Sequence, residues 1–285
     1  MSYSTLVVVA SPDKHFASSS KDGIKPTDRH DPAALSVFLQ VLADIKPDIH
    51  VDLGDLAHFG YISHYQFEKG QFGRVPSQDG ETIALSVADD NALINRWLDK
   101  LQGACRKDTK FHQLEGNHEE ILRVGRNKEA YRPFVNSEWY PEKAWRLQER
   151  GIKWTPYQRY DQSPNPLNSV KIGKVRLIHG HYATANHLEK HWRSWGCSLI
   201  YGHMHTVEEK TFPTLEAQQV VKTIGCLCSK TASYHRGRNN AWAQAFSVIY
   251  IQPNGLFHES TVRIINGNAV WNGKVYHAKK MPGIE

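Results

Sequence analysis

The chain has 285 residues, of which 40% are hydrophobic, 22% charged and 11% aromatic, a composition that excludes a disordered protein. No apolar run approaches the roughly 18 residues of a membrane span, so no membrane segment is predicted. The net charge of +6 favours a polyanionic partner such as nucleic acid, or equally an ordinary basic enzyme. Because the 4 cysteines make no disulfide framework and no secretion signal is visible, the predicted location is the cytoplasm.

The N-terminal half predicts strands that alternate with helices. Residues 5–10 are apolar and β-branched, which is typical of a short buried strand. Asp31 followed by Pro32 predicts the start of a helix, and residues 49–53 predict a second strand. Farther along, the pattern predicts an insertion over the strand ends, a helix and a third strand, at 57–86, 88–101 and 110–114.

The C-terminal half predicts further strands and a β-rich end. After short helices, the clearest at 141–150, the expected elements are a hairpin, a helix and a strand, at 169–178, 185–195 and 198–201. Strands with helices in both halves indicate an α/β fold of two packed sheets flanked by helices. We expect a single domain over residues 1–285, in which the β-rich part at 207–285 completes the second sheet.

Polar side chains follow five predicted strands at their carboxyl ends. In chain order these are Asp13 and His15, then Asp55, then Asn117 and His118, then His179 and His181, and last His203 and His205. Ligands of α/β proteins collect at this end of the strands, so the five segments are expected to converge. Carboxylate, amide and imidazole groups are ligands of borderline divalent metals, and no cysteine is among them. Two of the pairs are two residues apart, which in extended backbone places both side chains on one side.

The same segments resemble the motifs of a known family. The five motifs are Asp13-Lys14-His15, Gly54-Asp55, Gly116-Asn117-His118-Glu119, His179-Gly180 and Gly202-His203-Met204-His205. They are similar, in the same order, to the motifs of the calcineurin-like metallophosphoesterases. The Gly-Asn-His-Glu and Gly-His-x-His elements are the most specific of them. The resemblance spans about residues 5–206 and says little about the rest of the chain.

This resemblance implies a four-layer αββα sandwich with two mixed β-sheets and a dimetal site at the C-terminal ends of the strands. The ligands it implies are Asp13, His15 and His205 for one ion, Asn117, His179 and His203 for the other, and Asp55 as the bridge. The implied cofactors are two divalent ions, Mn²⁺ in first place and Fe²⁺, Zn²⁺ or Ni²⁺ as alternatives. His118 would be a general acid, with simple stacking against the sheet as its alternative.

The implied reaction is phosphoester hydrolysis by in-line attack of a hydroxide that bridges the two ions. The second motif reads Gly-Asp-x-x-His, which resembles the double-strand-break repair nucleases of the family. His58 then has a catalytic role, or it is a hydrogen-bond partner in the pocket where many relatives carry an aspartate. The second half of the chain also resembles uncharacterised phosphoesterases carried by bacteriophages.

The charge of the second motif favours a phosphodiester substrate. Residues 55–65 contain no arginine or lysine, whereas a dianionic monoester gains from cations beside the metals. We therefore expect a phosphodiesterase or nuclease that acts on DNA or a nucleotide. The alternatives are a phosphomonoesterase, including a protein phosphatase, and a catalytically inactive scaffold. The sequence leaves a homo-oligomer open.

Several other residues have a functional and a structural interpretation. His181 lies one residue too far along to be a ligand and is expected either to support the ligands from behind or to face the substrate. Arg123 and Arg126 follow the third motif, where they either bind a phosphate backbone or form a solvated face. Cys226 and Cys228 lack a second cysteine pair and are predicted to be buried thiols rather than a zinc site.

Overall fold

The computed structural model describes residues 5–18, 29–60, 67–70, 73–76, 80–126, 137–157, 168–215, 217–231 and 238–284. For 67–70, 73–76, 80–82 and 124–126 it describes the main chain but not the side chains. The aromatic residues Tyr61 and Tyr65 of the predicted insertion lie outside the described residues, as does the side chain of Phe67.

Strands dominate the described part of the chain. In order they are β1 (Leu6–Ser11), β2 (Ile49–Asp52), β3 (Phe67–Gly70), β4 (Gly73–Pro76), β5 (Lys110–Leu114), β6 (Ile152–Thr155), β7 (Ser169–Ile172), β8 (Val175–Ile178), β9 (Ser198–Tyr201), β10 (Val207–Pro213), β11 (Gln218–Ile224), β12 (Gln244–Ile251), β13 (Phe257–Ile264), β14 (Asn268–Trp271) and β15 (Lys274–His277). The predicted strands that precede the polar motifs are confirmed, whereas β6 was not predicted.

Helices flank these strands. They are α1 (Pro32–Ile45), α2 (Gly80–Gly103), α3 (Asn117–Arg126), α4 (Pro141–Ala144) and α5 (His187–Trp195). The carboxylate of Asp31 accepts hydrogen bonds from the main-chain N–H groups of Ala33 and Ala34, which confirms the predicted start of α1. None of the helices within the described ranges is both long and apolar enough to cross a membrane.

Two helix predictions were wrong in their bounds. Helix α2 begins at Gly80, eight residues before the predicted 88, because Ile83 and Val87 continue its buried face while the buried polar Ser86 hides the period. The predicted helix at 141–150 stops after Ala144. Arg146 adopts a left-handed backbone with φ of 52°, which an α-helix does not accommodate.

The strands form two mixed sheets. The first has the order β13-β12-β1-β2-β5-β6 and the second the order β10-β11-β9-β8-β7. The expectation that 207–285 completes the second sheet is therefore wrong for β12 and β13. Strand β12 pairs antiparallel with β1 in the first sheet, and all six of its residues before Tyr250 are buried, as befits a central position. Strands β14 and β15 form a separate hairpin.

The buried apolar side chains form three clusters, one between the two sheets and one on the outer face of each sheet. Apolar side chains from both sheets, among them Val8, Val51, Leu177 and Ile200, fill the space between the sheets. Helices α1 and α2 cover the outer face of the first sheet, and α5 covers the second. The four-layer αββα sandwich is thus confirmed, and the strand ends meet at one edge of it.

Candidate metal centre

The loops that follow the central strands are hydrogen-bonded to one another. The main-chain N–H groups of Lys14 and His15 both donate to the carbonyl oxygen of Asp55, each at 2.9 Å. The N–H of His203 donates to both carboxylate oxygens of Asp13, each at 2.9 Å. Because Asp13 follows the first sheet and His203 the second, this contact joins the two sheets at the cluster.

Four of the predicted ligands have a left-handed backbone. Their φ angles are 52° at His15, 49° at Asp55, 65° at His203 and 59° at His205. Such angles are uncommon in residues other than glycine and cluster at functional sites. The extended backbone expected at the two pairs was therefore wrong. At these four residues the chain turns sharply, and this brings their side chains together.

Two glycines of the motifs allow this close approach. A Cβ on Gly116 would lie 2.2 Å from Oδ1 of Asp55, and a Cβ on Gly202 would lie 2.1 Å from Oδ2 of Asp13. Each distance is shorter than real Cβ contacts allow. Any other residue type at these two positions would displace a carboxylate of the cluster.

One group of ligand atoms comes from Asp13, His15, His205 and Asp55. Nε2 of His15 and Nε2 of His205 are 3.2 Å apart, and Nε2 of His205 is 3.3 Å from Oδ1 of Asp13. Nε2 of His15 is 3.8 Å from Oδ2 of Asp55. A divalent ion with bonds of about 2.1 Å places neighbouring ligand atoms roughly 3.0–3.4 Å apart. The distances among Asp13, His15 and His205 therefore fit one ion, and the Asp55 oxygen lies slightly beyond this spacing.

A second group is formed by Asp55, Asn117, His179 and His203. Nε2 of His179 is 3.0 Å from Oδ1 of Asn117 and 3.4 Å from Oδ1 of Asp55. One ligand atom each from Asp55, His179 and His203 lies within 4.8 Å of the others. The Nδ1–H of His179 donates to the carbonyl oxygen of Leu53 at 2.9 Å. That bond leaves Nε2 with a lone pair for an ion.

Asp55 belongs to both groups and sets their electrostatics. Its Oδ1 faces His179 and its Oδ2 faces His15, so the carboxylate lies between them. Burial alone would raise the pKa of Asp55, but His179 and His118 outweigh it and hold that pKa well below its usual range. For His179, burial alone would lower the pKa. The negative charges of Asp55 and then Asp13 outweigh this effect and raise the pKa of His179 to about 9. The cluster attracts positive charge, which suits a pair of cations.

His118 lies beside both groups with a defined orientation. Its Nδ1–H donates to the carbonyl oxygen of His58 at 2.5 Å, and its main-chain N–H donates to Oδ1 of Asp55 at 3.0 Å. The remaining nitrogen, Nε2, is thus the one left for proton transfer. The His58 ring stacks on His118 with centroids 5.1 Å apart, and its Nδ1 is 3.4 Å from Nδ1 of His15.

Glu119 holds the loops of the second and third motifs. Its carboxylate accepts hydrogen bonds from the N–H groups of Asp55 at 3.1 Å, Ala57 at 2.7 Å and Gly116 at 2.7 Å. Burial first, and then the charge of Asp55, raises the pKa of Glu119 to about 8. Its structural role was not predicted from the sequence.

His181 lies outside both groups. Its Nδ1 is 3.0 Å from the hydroxyl of Tyr157, and its Nε2 accepts from Nδ2 of Asn168 at 2.8 Å. Its main-chain N–H donates to Nε2 of His191 at 2.9 Å. Both ring nitrogens of His181 are thus hydrogen-bonded to neighbouring side chains. Contact of His181 with a substrate stays a prediction.

The arginine after the third motif is held by carboxylates. Nε of Arg123 donates to Glu115 at 2.7 Å and its NH2 group donates to Glu142 at 2.6 Å. Its guanidinium also lies over the ring of Tyr140, 4.7 Å from the centroid. The side chain of Arg126 lies outside the described residues. A phosphate-binding role for either arginine stays a prediction.

Two residues near the cluster were missed. Sγ of Cys228 is 3.8 Å from Nδ1 of His205, a contact that the sequence did not predict. The indole of Trp242 also lies against His205, with ring centroids 4.1 Å apart. Both come from the connection between β11 and β12, where the sequence shows no motif. Cys226 and Cys228 are buried and form no disulfide, as predicted.

Known proteins resemble this chain in structure but not in sequence. No family model and no curated protein matches the sequence. The structure is similar to Vps29 from Chaetomium thermophilum, with 10% identity and a TM-score of 0.42 over 96% of this chain and 100% of that one. A second similar structure is purple acid phosphatase PPD1 from yellow lupin (Lupinus luteus) seeds, with 14% identity and a TM-score of 0.47 over 99% of this chain and 55% of that one.

A third is TT1561 from Thermus thermophilus, with 9% identity and a TM-score of 0.32 over 90% of this chain and 99% of that one. All three TM-scores are below 0.5, and all three identities are low. These likenesses carry no argument about function. The geometry of the cluster is therefore the basis for assigning one.

Proposed function

We propose that the chain is a dimetal phosphoester hydrolase of the calcineurin-like superfamily, acting on a phosphodiester. The observation that carries this proposal is the position of Asp55. Its two carboxylate oxygens face two separate groups of buried and half-buried carboxylate, amide and imidazole groups. A shared carboxylate is what two closely spaced divalent ions require, and Mn²⁺, Fe²⁺, Zn²⁺ and Ni²⁺ all suit this donor set.

When bound, such a pair of ions lowers the pKa of water and offsets the charge that grows on the phosphoryl oxygens. The chain supplies the rest of the chemistry. The left-handed turns and the glycines at 116 and 202 hold the carboxylates in place. Burial of Asp13, Asp55 and His179 to 2% exposure or less excludes competing water from the ligand atoms.

His118 is the proposed general acid. Because Nδ1–H is committed to the His58 carbonyl oxygen, Nε2 is the atom that would give a proton to the leaving oxygen. The partner of Nδ1 is a main-chain atom. The orientation of His118 therefore does not require the side chain of His58, although the His58 ring stacks on His118.

The charges of the described side chains support a diester. Lys14 is the cation of the first motif, and its ammonium is fully buried against Asp52 at 2.6 Å. Arg123 is the first cation after the third motif, and it is bound by Glu115 and Glu142. A substrate with one negative charge needs fewer cations than a dianion. Trp242, partly exposed beside His205, offers a surface for the organic group that a diester carries.

The test is an assay of the chelated protein and of the Mn²⁺-loaded protein on three substrates. These are bis-p-nitrophenyl phosphate, p-nitrophenyl phosphate and labelled DNA, the last as single and double strands. We expect no activity after chelation, recovery with Mn²⁺, and a higher kcat/KM on bis-p-nitrophenyl phosphate than on the monoester. If DNA is cleaved, the rate should fall as salt rises, because phosphate contacts release counterions.

Two results would redirect the proposal. A clear preference for the monoester without DNA cleavage would favour a phosphomonoesterase, including a protein phosphatase. Binding of two ions with no hydrolysis of any substrate would favour an inactive scaffold. The cytoplasmic location and a homo-oligomer remain predictions of the sequence.

A further inference from the structure

The sulfur of Cys228 lies against the outer nitrogen of a proposed ligand. Sγ of Cys228 is 3.8 Å from Nδ1 of His205. Nε2 of the same ring faces the cluster, 3.3 Å from Oδ1 of Asp13 and 3.2 Å from Nε2 of His15. Cys228 is 3% exposed and His205 is 6% exposed, so water has little access to the contact. The two nitrogens of one imidazole thus have different partners.

The main chain fixes the sulfur in this place. Nε2 of Gln244 donates to the carbonyl oxygen of Cys228 at 2.9 Å. The N–H of the preceding residue, Leu227, donates to the carbonyl oxygen of Asp13 at 2.8 Å. The segment that carries the thiol is therefore bound directly to the first motif. Its position relative to the cluster is set by the fold.

From this geometry we infer that Cys228 is a positioning residue for the ligand His205. The inference rests on the proposed function, because it concerns one of the two proposed ion sites. A ring that gives its Nε2 lone pair to an ion carries its proton on Nδ1. The sulfur of Cys228 is in place to accept the hydrogen bond of that Nδ1–H. It thereby fixes the tautomer and the ring angle of His205.

The two groups of ligands differ in this outer contact. Nδ1 of His179 donates to a carbonyl oxygen, that of Leu53, at 2.9 Å. A thioether or thiol sulfur is a weaker acceptor than a carbonyl oxygen. His205 also has a left-handed backbone, with φ of 59°. Loss of the thiol should weaken the ion held by His205 and leave the ion held by His179 in place.

The test compares metal binding by three variants and the wild type, using Co²⁺ titrations by calorimetry and absorption. The wild type should bind two ions. In Cys228→Ala the affinity for one ion should fall about 10–100-fold while the other is unchanged. Cys228→Ser, whose hydroxyl can accept from Nδ1–H, should recover most of this loss. Cys197→Ala is the control for the loss of a thiol, since Cys197 is a partly buried free cysteine that precedes β9 and packs on the apolar cluster under α5.

Three outcomes would overturn the inference. The first is equal affinity for both ions in Cys228→Ala and the wild type. The second is a loss in Cys197→Ala as large as that in Cys228→Ala. The third is a thiolate-to-cobalt charge-transfer band in the wild type that Cys228→Ala removes, because the sulfur would then be a ligand itself. These outcomes leave the proposed function standing, whereas a wild type that binds no ion would overturn both.

Discussion

Asp55 is the residue on which both proposed ion sites depend. Each of its oxygens faces a different imidazole, His179 on one side and His15 on the other. Its main-chain carbonyl also accepts two hydrogen bonds from the first motif. The carboxylate thus lies between the two proposed ion sites, while the main chain of the same residue joins the two loops.

The proton-transfer role of His118 gives the first prediction. His118→Asn should keep both ions and lose about 10²–10⁴-fold in kcat on a diester with a poor leaving group. The loss should be smaller for p-nitrophenolate, which needs little protonation. Steady-state rates on the two substrates, with metal content measured in parallel, check this.

His58→Ala serves as the control for that variant. This variant keeps the main-chain carbonyl oxygen that orients Nδ1 of His118. Its loss in kcat should therefore be smaller than that of His118→Asn. An equal loss in His118→Asn for good and poor leaving groups would show that His118 positions the phosphate instead of donating a proton.

His30 gives a prediction on pH and stability. It is 2% exposed and stacks on Phe16 with centroids 4.7 Å apart, and burial, followed by the charge of Arg29, lowers its pKa to about 4. As pH falls below the unfolded pKa of about 6.5, the unfolded chain takes up a proton that the folded chain does not. The free energy of unfolding contributed by this group is therefore lost as pH falls from about 6.5 to 4.

His30→Phe removes this titration and keeps a ring against Phe16. As the pH falls through that window, the free energy of unfolding of the variant should decrease by about 1.4 kcal/mol less per pH unit than that of the wild type. Urea unfolding of both chelated proteins across the same window measures the difference. Parallel pH profiles of the two proteins would show that His30 does not titrate on unfolding.

At the scale of elements, the first motif is fixed by a buried ion pair between the loop after β1 and the last residue of β2. The ammonium of Lys14 lies 2.6 Å from Oδ2 of Asp52 and 3.0 Å from Oγ of Ser11, and Lys14 is 0% exposed. Lys14 stands between two proposed ligands, Asp13 and His15. The pair therefore holds the loop of the first motif to the second strand.

Lys14→Met should break this pair and leave a buried carboxylate uncompensated. We expect a loss of about 3–5 kcal/mol in the free energy of unfolding, measured by denaturant titration. Adding Asp52→Asn, which keeps an acceptor for the N–H of Gly54, should restore part of that loss. Strictly additive effects of the two substitutions would show that the ion pair does not fix the loop.

Most of the site could be predicted from one rule, that ligands of α/β proteins collect at the carboxyl ends of the strands. It placed the polar motifs after β1, β2, β5, β8 and β9, because periodicity and short apolar runs mark buried strands well. It could not place Cys228 or Trp242 beside His205, because both come from a connection that is distant in sequence and follows no predicted motif strand. Tertiary packing determines which strands pair with one another. The sequence therefore did not predict that β12 and β13 belong to the first sheet.

For the whole molecule, the cluster predicts that metal binding stabilises the fold. Two buried carboxylates, Asp13 and Asp55, and several imidazoles meet where the two sheets join. Ions that bind only the folded state at about 100 times their Kd contribute about 2.7 kcal/mol each. The Tm measured with Mn²⁺ should therefore exceed that of the chelated protein by about 5 °C or more.

Asp55→Asn is the matched variant for this comparison. It replaces the shared carboxylate by a weaker ligand of the same size, so most of the gain from Mn²⁺ should disappear. A gain in Tm that is the same in the variant and the wild type would place the stabilising ions elsewhere on the molecule.

The central claim is that Asp55 bridges two ions, and anomalous diffraction from Mn²⁺-loaded crystals tests it most directly. We predict two anomalous peaks about 3.5–4 Å apart on either side of the Asp55 carboxylate. One should be bound by Asp13, His15 and His205, and the other by Asn117, His179 and His203. A single peak, or peaks that do not contact Asp55, would contradict the claim.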